Sequence, residues 1–370
     1  MTERIVDHDL WRIELPVGRT IGDNMCHYSR FTVLVLALTT DLGHRGWGFS
    51  ELVTNGVFRK AVPWHRPMAN LDEIRAKFER QCWPLLKDQN SLETKNSRPS
   101  PFESNDTIHN AIRKALWDLM GKEQDLPLYR LLGGTKENSR VRAYGSPLGF
   151  HQPDEEVFEL YRRCVSQGMT AVKVKVGHPD PQWDVQRLQL VRDAVGPPVQ
   201  INIDANLAWT GRQTIERIET FRQAGIELGY VEDPLRLDDV DGYRLLGREL
   251  SLDVVGHDYI TDPEDYRPLL DVGGLQRLRL IDDIDAALAI SQLGIEYGTP
   301  VIGGNTLFET GIHTAAALPN TERVEFSDLG WNELPEHPVR VEDGYMYAPD
   351  RPGAGLDPIP DLLEELSRPC

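Results

Sequence analysis

The amino-acid sequence predicts an α/β protein, a modified (β/α)8 TIM barrel with an α+β N-terminal capping domain that the C-terminal tail completes. Two observations predict this fold. After Gly134, short β-branched runs alternate with helix-length segments, whereas the first third of the chain has strand-like runs followed by two amphipathic segments. Regular alternation of strands and helices indicates parallel strands joined by crossover helices, and eight such units match a closed barrel.

The N-terminal region, residues 1–135, is predicted to form the capping domain. Its strand-like runs flank a Gly-containing turn, which favours a meander of β-strands. Two later segments place apolar residues at helical spacing, and loops rich in Pro, Gly and polar residues separate them. The strand candidates are residues 5–17, 31–39 and 46–52, the helix candidates are residues 71–86 and 107–121, and the loops are residues 53–70 and 88–105.

Residues 136–342 are predicted to form the barrel. An open doubly wound sheet is the competing architecture, but the first strand is followed by GSPLGF, which fits a glycine-rich phosphate loop poorly. The tail, residues 343–370, comes after the barrel has closed, and we expect it to pack back on the N-terminal region. The barrel strand candidates are residues 141–144, 171–176, 200–204, 228–232, 253–256, 277–281, 300–302 and 324–326.

Composition and charge exclude several classes of partner. The chain has 370 residues, of which 40% are hydrophobic, and a formal net charge of −18. A nucleic-acid backbone needs a basic face, so no nucleic-acid partner is expected. The longest apolar run, residues 33–38, is far short of the roughly 20 residues that span a bilayer, so no membrane is expected. Scattered cysteines and an N-terminus without an apolar signal core predict a cytoplasmic protein.

Polar residues recur at the C-terminal ends of successive predicted barrel strands. They are spaced by 29, 28 and 26 residues, about one βα unit each time. These strand ends converge on one face of a barrel, where active sites lie. A single acidic residue after a strand is ordinarily a helix cap or a solvated loop residue, but an ordered set favours an active site. The set is Lys173 and Lys175 on the second strand, Asp204 and Asn206 at the third, Glu232 at the fourth, and His257 and Asp258 at the fifth.

This set has the chemistry of a metal site beside a base. Three carboxylates on one face would repel one another unless a cation neutralised them, and oxygen ligands without a thiolate point to Mg²⁺. Lys173 and Lys175 are two residues apart on a strand, so their side chains point to the same face. Each ammonium lowers the pKa of the other, as does a nearby metal. A lysine whose pKa is lowered towards about 7–8 is a competent general base.

Three segments carry a family resemblance. They are the motif KVK (173–175), the segment ALWDLMGKEQDLPLYRLLGG (115–134) and the segment GWGFSEL (46–52). They resemble the Lys-x-Lys motif, the link into the barrel and the N-terminal hairpin of the enolase superfamily, in its mandelate racemase/muconate lactonizing enzyme branch. The resemblance implies that a base removes the proton α to a metal-bound carboxylate and that the metal stabilises the enediolate. The metal ligands that it implies are Asp204, Glu232 and Asp258.

The residues expected opposite the lysines depart from the pattern of the branch. Racemase-like members carry an Asp–His pair from strands six and seven, but strand seven here is followed by Gly303, Gly304 and Asn305. Cycloisomerase-like members place a Lys on strand six, where this chain has Arg279. Arginine stays protonated and is a poor base. Arg279 is therefore expected to bind substrate, to stabilise charge or to form a salt bridge in the barrel mouth.

The fifth strand offers two candidates for the third metal ligand. Aligning VVGHD on the Gly-Gly-Glu of the branch selects Asp258, and aligning on Gly-Glu alone selects His257. We favour Asp258 because its oxygen is the harder ligand. His257 is then either a proton donor beside the site or a packed imidazole.

Further polar residues are placed to meet a polar substrate. The loop at residues 19–28 lies where the branch has a specificity loop, and LFETGIH follows strand seven. Glu325 and Asp328 follow strand eight and could cap the site. The substrate-binding candidates are Asp23, His27, Tyr28, Asn206, Asn305 and Glu309.

The reaction predicted from these features is the Mg²⁺-dependent dehydration of a sugar acid to a 2-keto-3-deoxy acid. A base on one side only suits syn elimination, whereas racemisation needs a base on each face. A racemase, epimerase or cycloisomerase is the alternative, and an inactive barrel that only binds acids is another. We expect a small carboxylate as the partner and a homo-oligomer as the assembly.

Overall fold

An antiparallel sheet that is buried on both faces begins the chain. In the computed structural model, which describes residues 3–54, 57–58, 71–96, 101–102, 106–258, 260, 262–304, 306–329 and 331–367, the sheet order is β1-β2-β3, and β4 pairs with β2. Val33 and Val35 of β2 pack in the core shared with the barrel, whereas Leu34 and Leu36 pack against helices. Successive side chains of a strand point to opposite faces, so burial of both faces explains the unbroken apolar run of β2. The strands are β1 (Ile5–Gly22), β2 (Cys26–Thr40), β3 (Arg45–Thr54) and β4 (Val57–Phe58).

Helices cover the outer face of this sheet. A π-helical turn, Phe78–Cys82, interrupts the helix predicted at residues 71–86. Helix α4 approaches β3 so closely that a Cβ on Gly48 would lie 1.8 Å from the carbonyl oxygen of Ala111, which only glycine allows. Most of the loop predicted at residues 53–70 lies outside the described residues. The helices are α1 (Leu71–Lys77), α2 (Trp83–Leu86), α3 (Ser91–Asn96), α4 (Thr107–Glu123) and α5 (Leu128–Leu131).

Eight parallel strands then close into a barrel, which confirms the predicted fold. Each strand pairs with the next along the chain, and β12 pairs with β5 to complete the ring. The strands are short and rich in Val and Ile, as expected where both faces of a parallel sheet are covered. They are β5 (Arg140–Gly145), β6 (Ala171–Lys175), β7 (Gln200–Asp204), β8 (Tyr230–Glu232), β9 (Asp253–Gly256), β10 (Arg277–Leu280), β11 (Val301–Gly303) and β12 (Thr321–Phe326).

Crossover helices connect the barrel strands and begin at recognisable caps. Thr210 and Gln213 form a reciprocal capping box at the start of α8, and the Asp283 side chain accepts from the backbone N–H of Ala286 at the start of α11. The helices are α6 (Asp154–Ser166), α7 (Pro181–Val195), α8 (Gly211–Gln223), α9 (Val240–Glu249), α10 (Arg267–Asp271), α11 (Ile284–Tyr297) and α12 (Ile312–Ala317). Among the described helices, none combines the length and the apolar character that crossing a lipid bilayer requires.

The C-terminal tail divides between the barrel and the N-terminal sheet. Strands β13 (Arg340–Glu342) and β14 (Tyr345–Tyr347) form a hairpin, and β14 pairs antiparallel with barrel strand β5. Strand β14 therefore lies against the barrel and not on the N-terminal region, because it pairs with residues 140–142 of β5, which precede the pairings of β5 with β6 and β12. Helix α13 (Pro360–Ser367) does reach β1, where Trp11 Nε1 donates to Glu364 Oε1 at 3.0 Å.

Candidate active site

The C-terminal ends of the barrel strands hold a buried cluster of charged side chains. The parallel register aligns Lys175 with Asp204 and Asp204 with Glu232, so these three side chains meet at one level of the barrel. The sequence predicted this convergence from the one-unit spacing. Strand β12 adds Glu325, which the sequence suggested only as a residue capping the site.

Both lysines are bound to carboxylates in this cluster. Lys173 Nζ lies 2.6 Å from Glu232 Oε1, and it also contacts Glu325 Oε1 at 3.1 Å and Asp204 Oδ2 at 3.3 Å. Lys175 Nζ lies 2.6 Å from Asp204 Oδ2. Lys173 is 1% exposed and Lys175 is 7% exposed, so Lys175 lies nearer the solvent.

The charges around the lysines raise their pKa, in contrast to the lowering expected from the sequence. Burial lowers the pKa of Lys175 and so does Lys173, but nearby carboxylates, Asp204 first among them, together outweigh both and the net shift is upward. The pKa of Lys173 is raised as well. Burial and the Arg279 guanidinium lower this pKa, but three carboxylates raise it by more, those of Glu232, Glu325 and Asp204. Without a cation on the carboxylates, both lysines stay protonated.

The acidic side chains form a tight group that can accept a cation. Ligand oxygens of Asp204, Glu232 and Asp233 all lie within 4.8 Å of one another. Glu232 Oε2 is buried and has no hydrogen-bond partner among the described residues. Burial raises the pKa of Glu232 to about 8, although Arg279 and Lys173 lower it. Burial also raises the pKa of Asp233, and the nearby carboxylates add to the shift. The donor set is short of positive charge and consists of hard oxygens, which fits Mg²⁺.

A charge count leads to the same conclusion. Five carboxylates and three cations meet here, which leaves two negative charges when all are ionised, the charge that one divalent cation neutralises. The carboxylates are those of Asp204, Glu232, Asp233, Asp258 and Glu325, and the cations are Lys173, Lys175 and Arg279.

Asp258, the favoured third ligand from the sequence, lies at the edge of this group. Its side chain is 30% exposed, and its Oδ1 accepts from Arg279 Nε at 2.7 Å. Its backbone N–H donates to Asp233 Oδ2 at 3.2 Å. Asp233 is the residue that sequence reasoning missed, although it directly follows Glu232. The backbone of Asp233 adopts a φ of 46°, which turns its side chain towards the site rather than to the opposite face of the strand.

His257 is a packed imidazole in this structure, one of the two roles that the sequence left open. It is completely buried, with Nε2 2.6 Å from the Tyr243 hydroxyl and Nδ1 3.2 Å from Asp233 Oδ1. Burial lowers the pKa of His257 to about 4, against the raising effect of Asp258 and Asp204. The imidazole therefore stays neutral and packs against the acidic group through Asp233.

The N-terminal loop lies against the strand ends of the barrel. Asn24 Nδ2 donates to the carbonyl oxygens of Val176 at 3.1 Å and of Ala205 at 2.6 Å. The Asp23 carboxylate accepts from two backbone N–H groups, at 2.7 Å and 3.0 Å, so it holds the loop in a turn. The sequence singled out Asp23 and missed Asn24, whose amide makes the contact to the barrel.

The other predicted substrate contacts lie around this loop and the later strand ends. The His27 ring is 5.0 Å from that of His151, and the Tyr28 ring packs edge-on against Phe31 at 4.9 Å. The backbone N–H of Asn206 donates to Asp204 Oδ1 at 3.0 Å. Glu309 is buried and has a φ of 59°. Asn305 lies outside the described residues.

Fold and site together define a class, that of (β/α)8-barrel enzymes with an N-terminal capping sheet and a charged barrel mouth. The family model "Enolase C-terminal domain-like" matches residues 156–362. A solved structure from Mesorhizobium loti, named for mandelate racemase, is 33% identical, with 99% of this chain and 95% of that chain covered and a TM-score of 0.89. The chain belongs to the enolase superfamily, in its mandelate racemase/muconate lactonizing enzyme branch.

Relatives within this branch carry names of several reactions. An arabinonate dehydratase from Saccharolobus solfataricus is 28% identical over 270 residues, which cover 68% of this chain and 69% of the relative. The structure of an L-talarate dehydratase from Polaromonas, complexed with Mg and L-glucarate, is 23% identical, covers 100% of this chain and 98% of that chain, and has a TM-score of 0.77. Other relatives are named as cycloisomerases and racemases.

Proposed function

We propose that this protein removes the proton α to the carboxylate of a sugar acid with the help of Mg²⁺ and then eliminates water to give a 2-keto-3-deoxy acid. The observation that carries the proposal is the buried cluster at the barrel mouth, where two lysines lie among carboxylates whose full ionisation would leave two negative charges in excess. Removal of a proton α to a carboxylate needs a base, and a bound cation stabilises the negative charge that builds up on oxygen. Relatives named as sugar-acid dehydratases support the substrate class.

The proposed metal ligands are Asp204, Glu232 and Asp258. Asp204 and Glu232 are fully buried with oxygens close together, and Asp258 lies beside them at the rim. Asp233 and His257 are proposed to stabilise this arrangement of ligands. They contact each other, and Asp233 accepts a hydrogen bond from the backbone N–H of Asp258. Mg²⁺ at this place would supply positive charge for the oxygens of an enediolate.

Lys175 is the proposed base, and Lys173 is its partner deeper in the barrel. A cation held by Asp204 would weaken the main influence that raises the pKa of Lys175, the charge of the Asp204 carboxylate. Burial and the neighbouring Lys173 ammonium both lower the pKa of Lys175, so the pKa would fall with such a cation in place. Lys175 can release its proton under these conditions and accept one from the substrate.

Elimination is favoured over racemisation because, in the part of the barrel mouth that the structure describes, the lysines lie on one face. Lys173 and Lys175 lie on β6, and β10 and β11 face them with Arg279, Gly303 and Gly304. Arg279 keeps its proton. A proton removed by Lys175 is therefore not returned from the opposite face, whereas a hydroxyl can leave on the lysine side. The polar groups of Asp23, His27, Tyr28, Asn206, Asn305 and Glu309 are proposed to contact the substrate.

The proposal is tested with a panel of sugar acids in the presence of Mg²⁺. The 2-keto product is detected with semicarbazide, and exchange of the α-proton with solvent deuterium is followed by NMR on the same samples. The expected result is a 2-keto-3-deoxy acid from at least one sugar acid, with none from the Asp204→Asn control. An isomer of the substrate with exchanged deuterium but no keto acid would replace the lyase by a racemase or epimerase. Absence of both product and exchange would leave an acid-binding barrel without this activity.

A further inference from the structure

Arg279 is held by protein groups on every side of its guanidinium. The side chain is 1% exposed. Its Nε donates to Asp258 Oδ1 at 2.7 Å, and its Nη2 donates to Glu325 Oε2 at 2.5 Å. Its Nη1 donates to the Tyr144 hydroxyl at 2.7 Å and to the carbonyl oxygen of Gly303 at 3.3 Å. All three nitrogens are thus occupied, which leaves little capacity for a substrate.

The backbone of Arg279 is fixed as well. The Tyr266 hydroxyl accepts from the backbone N–H of Arg279 at 3.1 Å and from that of His257 at 2.5 Å. A single buried hydroxyl therefore ties β10 to the end of β9, next to Asp258. Because hydrogen bonds fix both its main chain and its side chain, Arg279 can hold a metal-ligating carboxylate in one orientation.

The partners of Arg279 connect it to both sides of the charged cluster. Asp258 is a proposed metal ligand, and Glu325 in turn contacts the Lys173 ammonium at 3.1 Å. We propose that Arg279 is a positioning residue, which orients Asp258 towards the metal and holds Glu325 against Lys173, and that it neither accepts a proton nor binds substrate. The inference rests on the proposed function, because it assumes a cation on Asp204, Glu232 and Asp258.

Loss of Arg279 should weaken metal binding while the barrel persists. Asp258 is the most exposed of the proposed ligands, at 30%, so without Arg279 its side chain is free to turn to solvent. Removal of a group that orients a metal ligand typically costs about 10–100-fold in affinity. We expect this loss for Arg279→Lys, which keeps the positive charge but whose single ammonium cannot span Asp258, Tyr144 and Glu325. Arg279→Met also removes a positive charge that repels the cation, so its loss in affinity should be smaller.

The experiment measures the Kd of Mg²⁺ by isothermal titration calorimetry, without substrate, on the full chain. Arg277→Met is the matched control. Arg277 lies two residues earlier on the same strand, but its guanidinium pairs with Asp253 and Glu322. Asp253 is the first residue of β9 and Glu322 the second of β12, so both lie at the other end of the barrel. Thermal unfolding followed by circular dichroism establishes that each variant is folded. Arg277→Met should bind Mg²⁺ like the parent.

Each outcome decides the inference. Weaker Mg²⁺ binding in folded Arg279→Lys, with the control unchanged, supports it, and parent-like or tighter binding in that variant overturns it. Should Arg279→Lys not fold, Tyr144→Phe decides in its place, because it removes one anchor of the guanidinium. Binding several-fold weaker then supports the inference, and parent-like binding overturns it. A parent chain that binds no Mg²⁺ refutes instead the proposed function on which the inference depends.

Discussion

Replacing Lys175 by Met should abolish removal of the α-proton while leaving a folded protein. Methionine preserves most of the length of the lysine side chain and removes the ammonium. General-base catalysis is typically worth about 10²–10⁴-fold, which corresponds to about 2.7–5.4 kcal/mol at 1.36 kcal/mol per tenfold change in rate. We expect kcat to fall by at least this factor, and exchange of the substrate α-proton with solvent deuterium to stop.

The cost in stability should be smaller than for a fully broken buried ion pair. Breaking such a pair costs about 3–5 kcal/mol when one charge is left alone. Asp204 would keep the Lys173 ammonium at 3.3 Å after the substitution, so its charge stays partly compensated.

Lys173→Met should also lose rate, through weaker substrate binding and enediolate stabilisation.

The assay is ¹H NMR of a sugar-acid substrate in deuterated water with Mg²⁺. Lys122→Met provides a control, since Lys122, like Lys175, forms close ion pairs, with Asp118 at 2.9 Å and Asp357 at 2.6 Å, but lies on helix α4 outside the cluster. The control should exchange the proton like the parent. If Lys175→Met exchanges the proton at the parent rate, Lys175 is not the base, and His257 becomes the next residue to test.

Three further predictions concern the metal site, pH and packing. Asp204→Asn should lose Mg²⁺ binding and turnover, and full calorimetric binding in that variant would refute the ligand assignment. Burial lowers the pKa of His313 to about 4, so between this value and the 6.5 of an unfolded histidine the unfolded state binds more protons. The contribution of neutral His313 to the free energy of unfolding is therefore complete above pH 6.5 and is lost as pH falls through this window, by up to about 3 kcal/mol. His313→Gln should reduce the dependence of the free energy of unfolding on pH, measured by urea denaturation at several pH values. An unchanged dependence would contradict the assignment. Gly48→Ala should destabilise the protein by about 1–3 kcal/mol or more, because its Cβ would meet the Ala111 carbonyl oxygen at 1.8 Å. Gly149→Ala, whose Cβ would have ordinary contacts from 3.4 Å, is the control, and equal urea midpoints for the two variants would refute the packing argument.

The barrel could be predicted from the sequence because each strand and each helix repeats the same pattern of apolar residues. All eight barrel strands lie where β-branched runs predicted them, within a few residues at their ends. The hairpin of β13 and β14 was missed because its two short strands contain a single β-branched residue, Val341. The π-helical turn within residues 71–86 was missed for a related reason, since it keeps the apolar spacing of a helix.

The candidate site was predictable where it depends on strand ends and not where it depends on backbone detail or long-range contacts. Lys173, Lys175, Asp204 and Glu232 meet because parallel strands end at one level. Asp233 enters through a left-handed backbone angle that no periodicity reveals.

Long-range contacts likewise decide two further features of the site. The raised pKa of the lysines depends on carboxylates within about 3 Å of them, contributed by several strands, and a single strand does not encode these distances. The side-chain partners of Arg279 come from β5, β8, β11, β12 and the end of β9, and for this reason the sequence left its role open.

The most direct test of a magnesium site at the barrel mouth is the crystal structure of the protein grown with Mg²⁺. The account predicts one octahedral ion at about 2.0–2.1 Å from oxygens of Asp204, Glu232 and Asp258, with Lys175 displaced from Asp204 towards the open side. Electron density for the ion at Asp204, Glu232 and Asp233, with Asp258 still bound only to Arg279, would contradict the choice of the third ligand. A mouth that holds no ion at saturating Mg²⁺ would contradict the central claim.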